Sequence, residues 1–310
     1  SINVPPGMRI LHTLSQSFEV DDRKGIHNPK GLSGNTLGVN VHLITSEINV
    51  EKDIEACFDD LGIKIIEFVL EPLASSYAVL DKNEKELGVA LVDIGGGTTD
   101  VIVYYDGGIQ YSSAISYAGN YITLDINRLF KTTWEYATEL KHEYGIAKSI
   151  LADSDLKIEV KGIKGREPIT ITQKTLSEVI EDRMAEILTY ASEEIAKSDY
   201  ADKLSFGIVL TGGGSQLRNI IELAQDITSM AVQIGYPELN NISKAGSSDD
   251  AKKDSEDDNV IIYDNNPRLA TAIGIINYVA EKSDQEIDRE YSNPIINFLK
   301  NIKNKLTSWY

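Results

Sequence analysis

The chain has 310 residues, room for two ordinary domains or one bilobed molecule, with 42% hydrophobic residues, 25% charged residues and a formal net charge of −18. A chain this acidic repels phosphate backbones, and no basic face interleaved with aromatics offsets the repulsion, so no nucleic-acid partner is expected. Cys57 is the sole cysteine, which leaves no internal disulfide and suits a reducing cytosol, and no apolar run approaches the roughly 18 residues of a spanning helix.

Residues 1–7 carry neither a basic n-region nor an apolar h-region, so they do not read as a signal peptide. They also lack an initiating Met and open within what reads as a running element, so the sequence is expected to be cut at its N-terminus. Residues 8–20 predict a strand and 37–45 a second, with Asn28-Pro29, Gly31 and Gly34 in a polar loop between them. Residues 49–61 predict an amphipathic helix with Ile54, Phe58 and Leu61 on one side, and 63–70 a returning strand, giving a β-β-α-β block. Glu71-Pro72 opens a helix to about residue 81, with Pro tolerated in the first turn.

The most regular strand pattern follows. Residues 88–93, 99–105 and 109–116 predict three strands joined by Gly95-Gly96-Gly97 and by an Asp106-Gly107 hairpin turn. Helices are expected at 119–130 and 135–144, short β segments in 150–172, and a long helix over 173–197 with Leu176, Ile180, Met184, Ile187 and Leu188 at helical spacing. A buried strand at 206–211 runs into Gly212-Gly213-Gly214 and a helix to about residue 230. The acidic stretch 240–259 reads as a disordered loop, 267–281 as a helix and 282–291 as a charged linker.

Two glycine turns carry chemistry. In the first, an apolar strand delivers Asp93 to Gly95, Gly96 and Gly97, followed by Thr98, Thr99 and Asp100. Glycines let the backbone approach an anion and point N–H groups at it, and the two threonine hydroxyls can add donors. A carboxylate beside phosphate is useful with a cation between them, so Asp93 is a candidate to hold Mg²⁺ through water or to orient an attacking water. In the second, Val209-Leu210-Thr211 leads into Gly212, Gly213 and Gly214, a strand-to-helix turn expected to aim helix N-terminal amides at a phosphate or ribose. Neither turn fits the P-loop or the dinucleotide fingerprint. The four histidines have no metal-ligand spacing and read as structural or surface residues.

The C-terminal segment is a separate signal. Ser292-Asn293-Pro294 reads as a helix start, after which Ile295, Phe298, Leu299, Ile302, Leu306 and Trp309 recur on one helical face. Lys300, Lys303 and Lys305 bring positive charge with no acidic residue from 292 onward. Such a helix lies in a membrane interface with its lysines at anionic head groups, or else docks on a protein surface. Partial burial of its apolar side chains at ~1 kcal/mol each gives roughly 5 kcal/mol before ordering costs, so one copy would bind weakly and several joined copies far better.

These motifs resemble the actin/Hsp70/sugar-kinase superfamily and, within it, the FtsA family of bacterial cell-division proteins. The first glycine turn resembles the superfamily's second phosphate loop, and the second its adenosine loop. Glu71-Pro72-Leu73-Ala74-Ser75 and Pro267-Arg268-Leu269-Ala270-Thr271-Ala272-Ile273-Gly274 resemble its two connecting helices. Ile10-Leu11-His12, the 25–34 loop, Tyr117-Ala118-Gly119-Asn120 and the terminal helix narrow the likeness to FtsA.

That resemblance implies an α/β, actin-like (ribonuclease H-like) bilobed fold with a small inserted β-β-α-β domain and the N-terminal part of the first lobe missing. The expected division is 1–69 for the inserted domain with a remnant of the first lobe, 70–86 for the first connecting helix and 87–281 for the second lobe, including a subdomain at about 145–205. The linker 282–291 and the targeting helix 292–310 complete it.

ATP with Mg is the implied cofactor, bordered by Asp93, Gly95, Gly96, Gly97, Thr98, Thr99, Gly119, Gly212, Gly213 and Gly214. Glu139 and Lys141 either border adenine or form a solvated helix face, and Glu71 is a candidate to position water. The Asp93 loop and the Gly212 turn are expected to face each other across one cleft and grip one triphosphate from opposite lobes. The superfamily's first phosphate loop, an Asp-x-Gly hairpin, has no counterpart expected upstream of Asp93.

As a member of this family the protein would be a scaffold with at most a slow regulatory ATPase. It would polymerise, bind the C-terminal peptide of FtsZ through the lobe holding 150–200, recruit later division proteins and sit on anionic lipids at the inner face of the cytoplasmic membrane. The rival readings are a PilM-like pilus-assembly homologue and a sugar or acetate kinase of the same fold; no second-substrate constellation supports the kinase, and no peptide-binding β domain supports an Hsp70-like chaperone.

Overall fold

The computed structural model describes residues 4–26, 28–163, 167–239 and 265–287. The expected loop at 240–259 and the terminal helix 292–310, with Ile295, Phe298, Leu299, Lys300, Ile302, Lys303, Leu306 and Trp309, lie outside the described residues.

The N-terminal part is an antiparallel three-stranded sheet in the order β2-β1-β3, built from β1 (Met8–Val20), β2 (Arg23–Ile26) and β3 (Leu37–Glu47). The expected polar loop thus contains a short strand. It is turned by Asp21 at φ 54°, whose carboxylate accepts the Asn35 and Thr36 amides at 2.9 Å each and fastens the loop's return. Helix α1 (Ile48–Asp59) follows β3 directly.

Residues 63–70 do not form the expected strand. A cavity of about 280 Å³ lined by Arg9, Ile10, Leu11 and residues 65–68 lies between this segment and β1. The tie that does form uses a side chain: the Leu70 amide donates to His12 Nε2 at 3.0 Å. The block is therefore β-β-β-α followed by a segment without regular secondary structure.

After α2 (Glu71–Val79), the short α3 (Lys82–Leu87) is nucleated by reciprocal bonds between Asp81 and Glu84, a capping box. Strands β4 (Val89–Ile94), β5 (Thr99–Tyr105) and β6 (Gly108–Ile115) form an antiparallel meander. Its hairpin places Asp106 and Gly107 at φ 57° and 73°, the left-handed pair that a two-residue turn requires.

Helices α4 (Gly119–Phe130) and α5 (Trp134–Tyr144), the β7 (Lys157–Val160)–β8 (Ile169–Thr172) ribbon and the long α6 (Gln173–Lys197) come next. Then β9 (Ile208–Thr211), α7 (Ile220–Thr228) and β10 (Val232–Ile234) complete a five-stranded sheet in the order β10-β9-β4-β5-β6, with β9 and β10 parallel to β4. The last described element, α8 (Ala270–Ile287), extends into residues expected to be linker.

All of β4 is buried because both faces of this sheet are covered. Strand alternation divides its side chains: Ala90, Val92 and Ile94 pack with Ile122, Ile180, Met184 and Leu223 from α4, α6 and α7. Val89 and Leu91 pack on the opposite face with Leu73 of α2 and Tyr278 of α8. The next residue in that second series is Asp93, so the strand aims its carboxylate at α2 and α8. Those helices cross closely: a Cβ on Gly274 would stand 1.8 Å from the Ala74 carbonyl oxygen.

Candidate functional site

The two glycine turns lie side by side at the ends of neighbouring strands. Asp93 is the register partner of Thr211 on β9 and of Asp100 on β5. Gly212, at φ 80°, packs so closely that a Cβ there would meet Asp93 Oδ1 at 2.2 Å. The expected grip from opposite lobes is thus corrected: both turns belong to one sheet, because β9 inserts beside β4.

The Gly212 turn also does not open an α-helix. Gly214 lies against Ile94, where a Cβ would be 2.3 Å from Cγ2, and this tightens the chain into a 3₁₀ turn over Gly213–Gln216. The Ser215 amide and hydroxyl both close onto the Gly212 carbonyl, and α7 starts only at Ile220. The Gly212 amide is donated to Pro267 O at 3.2 Å, which ties the turn to the start of α8.

In the first loop, Gly95 N–H donates to Thr98 O at 2.9 Å, while Gly96, Gly97 and Thr98 are exposed. A Cβ on Gly97 would meet nothing within 4 Å, so its surface is open. The loop carbonyls are occupied by α4: Gly119 N–H donates to Gly95 O at 3.0 Å and Asn120 N–H to Gly96 O at 2.9 Å. The Thr99 hydroxyl is buried and donates to Tyr117 O at 2.8 Å, so it holds the loop instead of facing a ligand. The Thr98 hydroxyl donates to Asp100 Oδ2 at 3.1 Å.

One flank is acidic. Asp93 is 4% exposed, and burial, reinforced by Glu71, pushes its carboxyl up to about 6 although the Ser75 bond opposes the shift. Burial and then Glu71 push Asp100 up to about 7. Glu71 itself is exposed at the start of α2.

Cationic groups border the loops as well. Lys141 Nζ donates to Gly119 O at 2.9 Å and Thr123 Oγ1 at 2.8 Å, both neutral acceptors, and burial pushes its ammonium down to about 8. His142 is lowered by burial and then by the nearby charges of Lys141 and Arg268. Arg268 lies against Gly213, where a Cβ would stand 3.4 Å from its Cγ. Glu139 is exposed on α5 with Tyr136 and Tyr144 as its electrostatic neighbours, and no hydrogen bond joins it to either loop.

Four residues join the site that sequence reasoning did not single out: Asp100, Ser75, Thr271 and Arg268. Asp100 belongs to the glycine motif itself, and Ser75 stands one helical turn after Glu71, so these two had a local signal. Thr271 and Arg268 stood within the stretch that resembles the second connecting helix, but nothing local pointed them at this site.

The arrangement suits an anion beside the cationic groups, with a bridging cation needed where it meets the carboxylates. Hard carboxylate and hydroxyl oxygens fit Mg²⁺. Asp93 Oδ2 is taken by Ser75 and Oδ1 packs on Gly212, so this carboxylate would reach such an ion through water. Among the described residues no three acidic, histidine or cysteine side chains form a metal cage. The letters Asp-x-Gly do occur upstream, as Asp60-Leu61-Gly62, but Gly62 N–H closing on Asp59 O makes them the turn that ends α1. They are not a phosphate hairpin.

Comparison with known proteins decides the family. The model described as "Cell division protein FtsA" matches residues 90–274, and "SHS2 domain inserted in FTSA" matches residues 1–45. The cell division protein FtsA of Pseudomonas aeruginosa is 36% identical over 292 residues, covering 94% of this chain and 66% of that protein. That of Escherichia coli strain K12 is 34% identical, covering 100% of this chain and 71% of the relative. The chain belongs to the FtsA family.

It is therefore a cell-division protein of actin-like fold, and it spans about two thirds of the length of these FtsA relatives. Solved structures agree on the fold. MreB5 of Spiroplasma citri bound to ADP superposes with a TM-score of 0.57 at 18% identity over 79% of this chain and 69% of its own. A PilM-PilN type IV pilus biogenesis complex does so at 0.59, 15% identity, 88% and 67%. At such identities PilM shares the FtsA architecture and nothing more is read from it.

Proposed function

We propose that this chain carries the second-lobe half of an ATP site in an actin-like scaffold, which tethers FtsZ through its C-terminal peptide to the cytoplasmic membrane. The observation that carries the reading is the pairing of the Asp93 loop with the Gly212 turn, open at Gly96 and Gly97 and flanked by charges of both signs. Gly96, Gly97 and Thr98 would present amides to phosphate oxygens, and Arg268 and His142 would face the anion from the Gly213 side. Lys141 would hold the start of α4 against the loop. Asp93 and Asp100 would hold Mg²⁺ through water, where the ion neutralises phosphate charge. Glu71 would border the attacking water, in keeping with slow, regulatory hydrolysis at most.

The remaining parts take matching roles. Residues 1–69 would be the inserted domain for polymer contacts and recruitment of later division proteins, 70–86 the first connecting segment, which folds as α2 and α3 and not as one helix, and 87–281 the second lobe, with a subdomain at about 145–205. For the FtsZ peptide, a groove of about 560 Å³ between α4 and α6 offers Leu129 and Val179 beside Arg128 and Arg183. Arg183 is paired with Asp125 and Glu186 there, so a peptide carboxylate would compete for it. Residues 292–310, by their sequence, would bind anionic lipid at the inner face of the membrane as a peripheral anchor; no helix among the described residues is long and apolar enough to cross one.

Gly97→Val tests the site. It adds bulk where nothing lies within 4 Å, at a backbone angle valine tolerates, so the unfolding midpoint should hold. Affinity for MgATP, measured by titration calorimetry, should fall at least about tenfold, a 1.4 kcal/mol change. Unchanged affinity would remove the loop from the nucleotide site. Flotation on anionic vesicles with and without residues 292–310 tests the anchor, equal soluble fractions counting against it.

A further inference from the structure

Asp93 is gripped from the side away from the open loop, and two helices share the task. The Ser75 hydroxyl, fully buried on α2, donates to Asp93 Oδ2 at 2.6 Å. Ser75 Oγ also lies 3.0 Å from Thr271 Oγ1 on α8. A serine hydroxyl has one proton, and an ionised carboxylate can only accept, so the proton of Ser75 is committed to Asp93. The second contact must then run from Thr271 to Ser75. The result is a directional chain, Thr271 to Ser75 to Asp93, ending on a charge and polarised along its length.

Its location gives the chain reach. Ser75 and Thr271 adjoin the α2–α8 crossing, where Ala74 and Gly274 leave no room for a side chain. The Ser75 hydroxyl is fully buried and costly unless bonded, while Thr271 is half-buried, and packing at Ser75 could have been served by alanine.

We propose that Ser75 and Thr271 are positioning residues for Asp93: they hold its carboxylate beside the Gly212 turn and make its bonding state felt at the crossing of the two helices. When Asp93 accepts a cation's water on its remaining lone pairs, the Ser75 bond is kept, and the change in charge on the carboxylate is felt along the chain at Thr271. Glu71 and Asp100 face the same carboxylate from α2 and β5, but neither is hydrogen-bonded to α8. The link to a cation rests on the nucleotide reading above; the chain itself does not.

A triple-mutant cycle on the full chain separates the two. Asp93→Asn and Thr271→Val alter residues joined by hydrogen bonds only through Ser75. In the ligand-free protein their effects on the unfolding constant should be non-additive by about fivefold or more, and additive in a Ser75→Ala background. Thr271→Ser should restore wild-type behaviour. Additivity with Ser75 present, or coupling that survives Ser75→Ala, overturns the chain.

In nucleotide titrations Thr271→Val should weaken ATP binding about tenfold with Mg²⁺ and less than about twofold without it. Equal losses in both would mark a packing role and overturn the positioning one. This pair of titrations, with Thr271→Ser as rescue, also decides the matter if Ser75→Ala does not fold. A wild-type chain that binds no MgATP sinks the nucleotide reading by itself, and the ligand-free cycle still decides the chain.

Discussion

In the five-stranded sheet every residue of β4 is buried under helices on both faces, whereas in the three-stranded sheet Val20 and Ile44 are the buried apolar side chains and Leu37 and Val39 stand exposed. Helix α1 follows the second pattern. Its expected apolar face, Ile54 and Phe58 with Leu61 just beyond, is 39%, 39% and 73% exposed. Helical spacing therefore reports which side chains share a face, not whether anything covers it. One sheet carries its own core, and the other presents apolar residues without one.

The comparison breaks most sharply where α2 and α8 cover the larger sheet. Gly274→Leu puts a side chain into the Ala74 backbone, a clash that no rotamer relieves. A loss of about 4 kcal/mol or failure to fold is expected by urea unfolding, since overpacking at backbone contacts exceeds the usual 1–3 kcal/mol. A loss below about 1 kcal/mol would mean that the helices separate freely and do not lock the covered face.

A paired measurement sharpens it. Met184→Ala removes a fully buried side chain from the larger core and should cost about 3 kcal/mol. Ile54→Ser with Phe58→Ser on α1 should cost less than about 0.5 kcal/mol, as surface changes do. Equal losses in the two unfolding curves would show that the α1 face is covered in solution.

Much of the larger sheet was legible because its signals are local. The Asp106-Gly107 turn fixes a hairpin whatever lies around it, and the spacing of Leu176, Ile180, Met184 and Ile187 needs a window of only a dozen residues. The segment 63–70 was misread for the opposite reason: Ile63, Ile65, Ile66 and Phe68 have strand composition, but a strand also needs a partner edge, and composition does not supply one. Short elements such as β2, α3 and β10 offer too few residues for a period.

At the site, the glycine motifs and Asp93 were readable as chemistry, whereas their placement on one sheet was not, since β4 and β9 are paired across more than a hundred residues. The link from Ser75 to Thr271 spans 196 residues and is invisible for the same reason.

The electrostatics of the larger sheet give a smaller, pH-dependent effect. Asp100 holds its proton more tightly folded than unfolded, its carboxyl being raised by burial and by Glu71 to about 7. Between about pH 4 and 7 the unfolded chain has lost that proton and the folded chain has not, so stability falls as pH rises through this window. Asp100→Asn should flatten the fall and stabilise the ligand-free chain at pH 8 by about 2 kcal/mol in urea titrations at several pH values. A steeper fall in the variant would assign the pH response elsewhere.

The smallest effect is expected where the two regions meet. Glu67 lies in the irregular segment 63–70 that was expected to be a strand, and it accepts from Tyr278 Oη at 2.9 Å and Lys282 Nζ at 2.6 Å, both on α8. Burial alone would raise this carboxyl, but the bonds from Lys282 and Tyr278 outweigh it and hold it below the usual range. Its contribution is thus present at neutral pH and lost on acidification. The Glu67–Lys282 ion pair is half exposed, so Glu67→Gln should cost under about 1 kcal/mol, with the loss shrinking at 1 M salt. A salt-independent loss of 2 kcal/mol or more would show instead that the Glu67 bonds to α8 add substantially to the direct ties between the two sheets, where Gln16 Nε2 donates to Ile109 O at 2.9 Å and His42 Nε2 lies 2.9 Å from Ser112 Oγ.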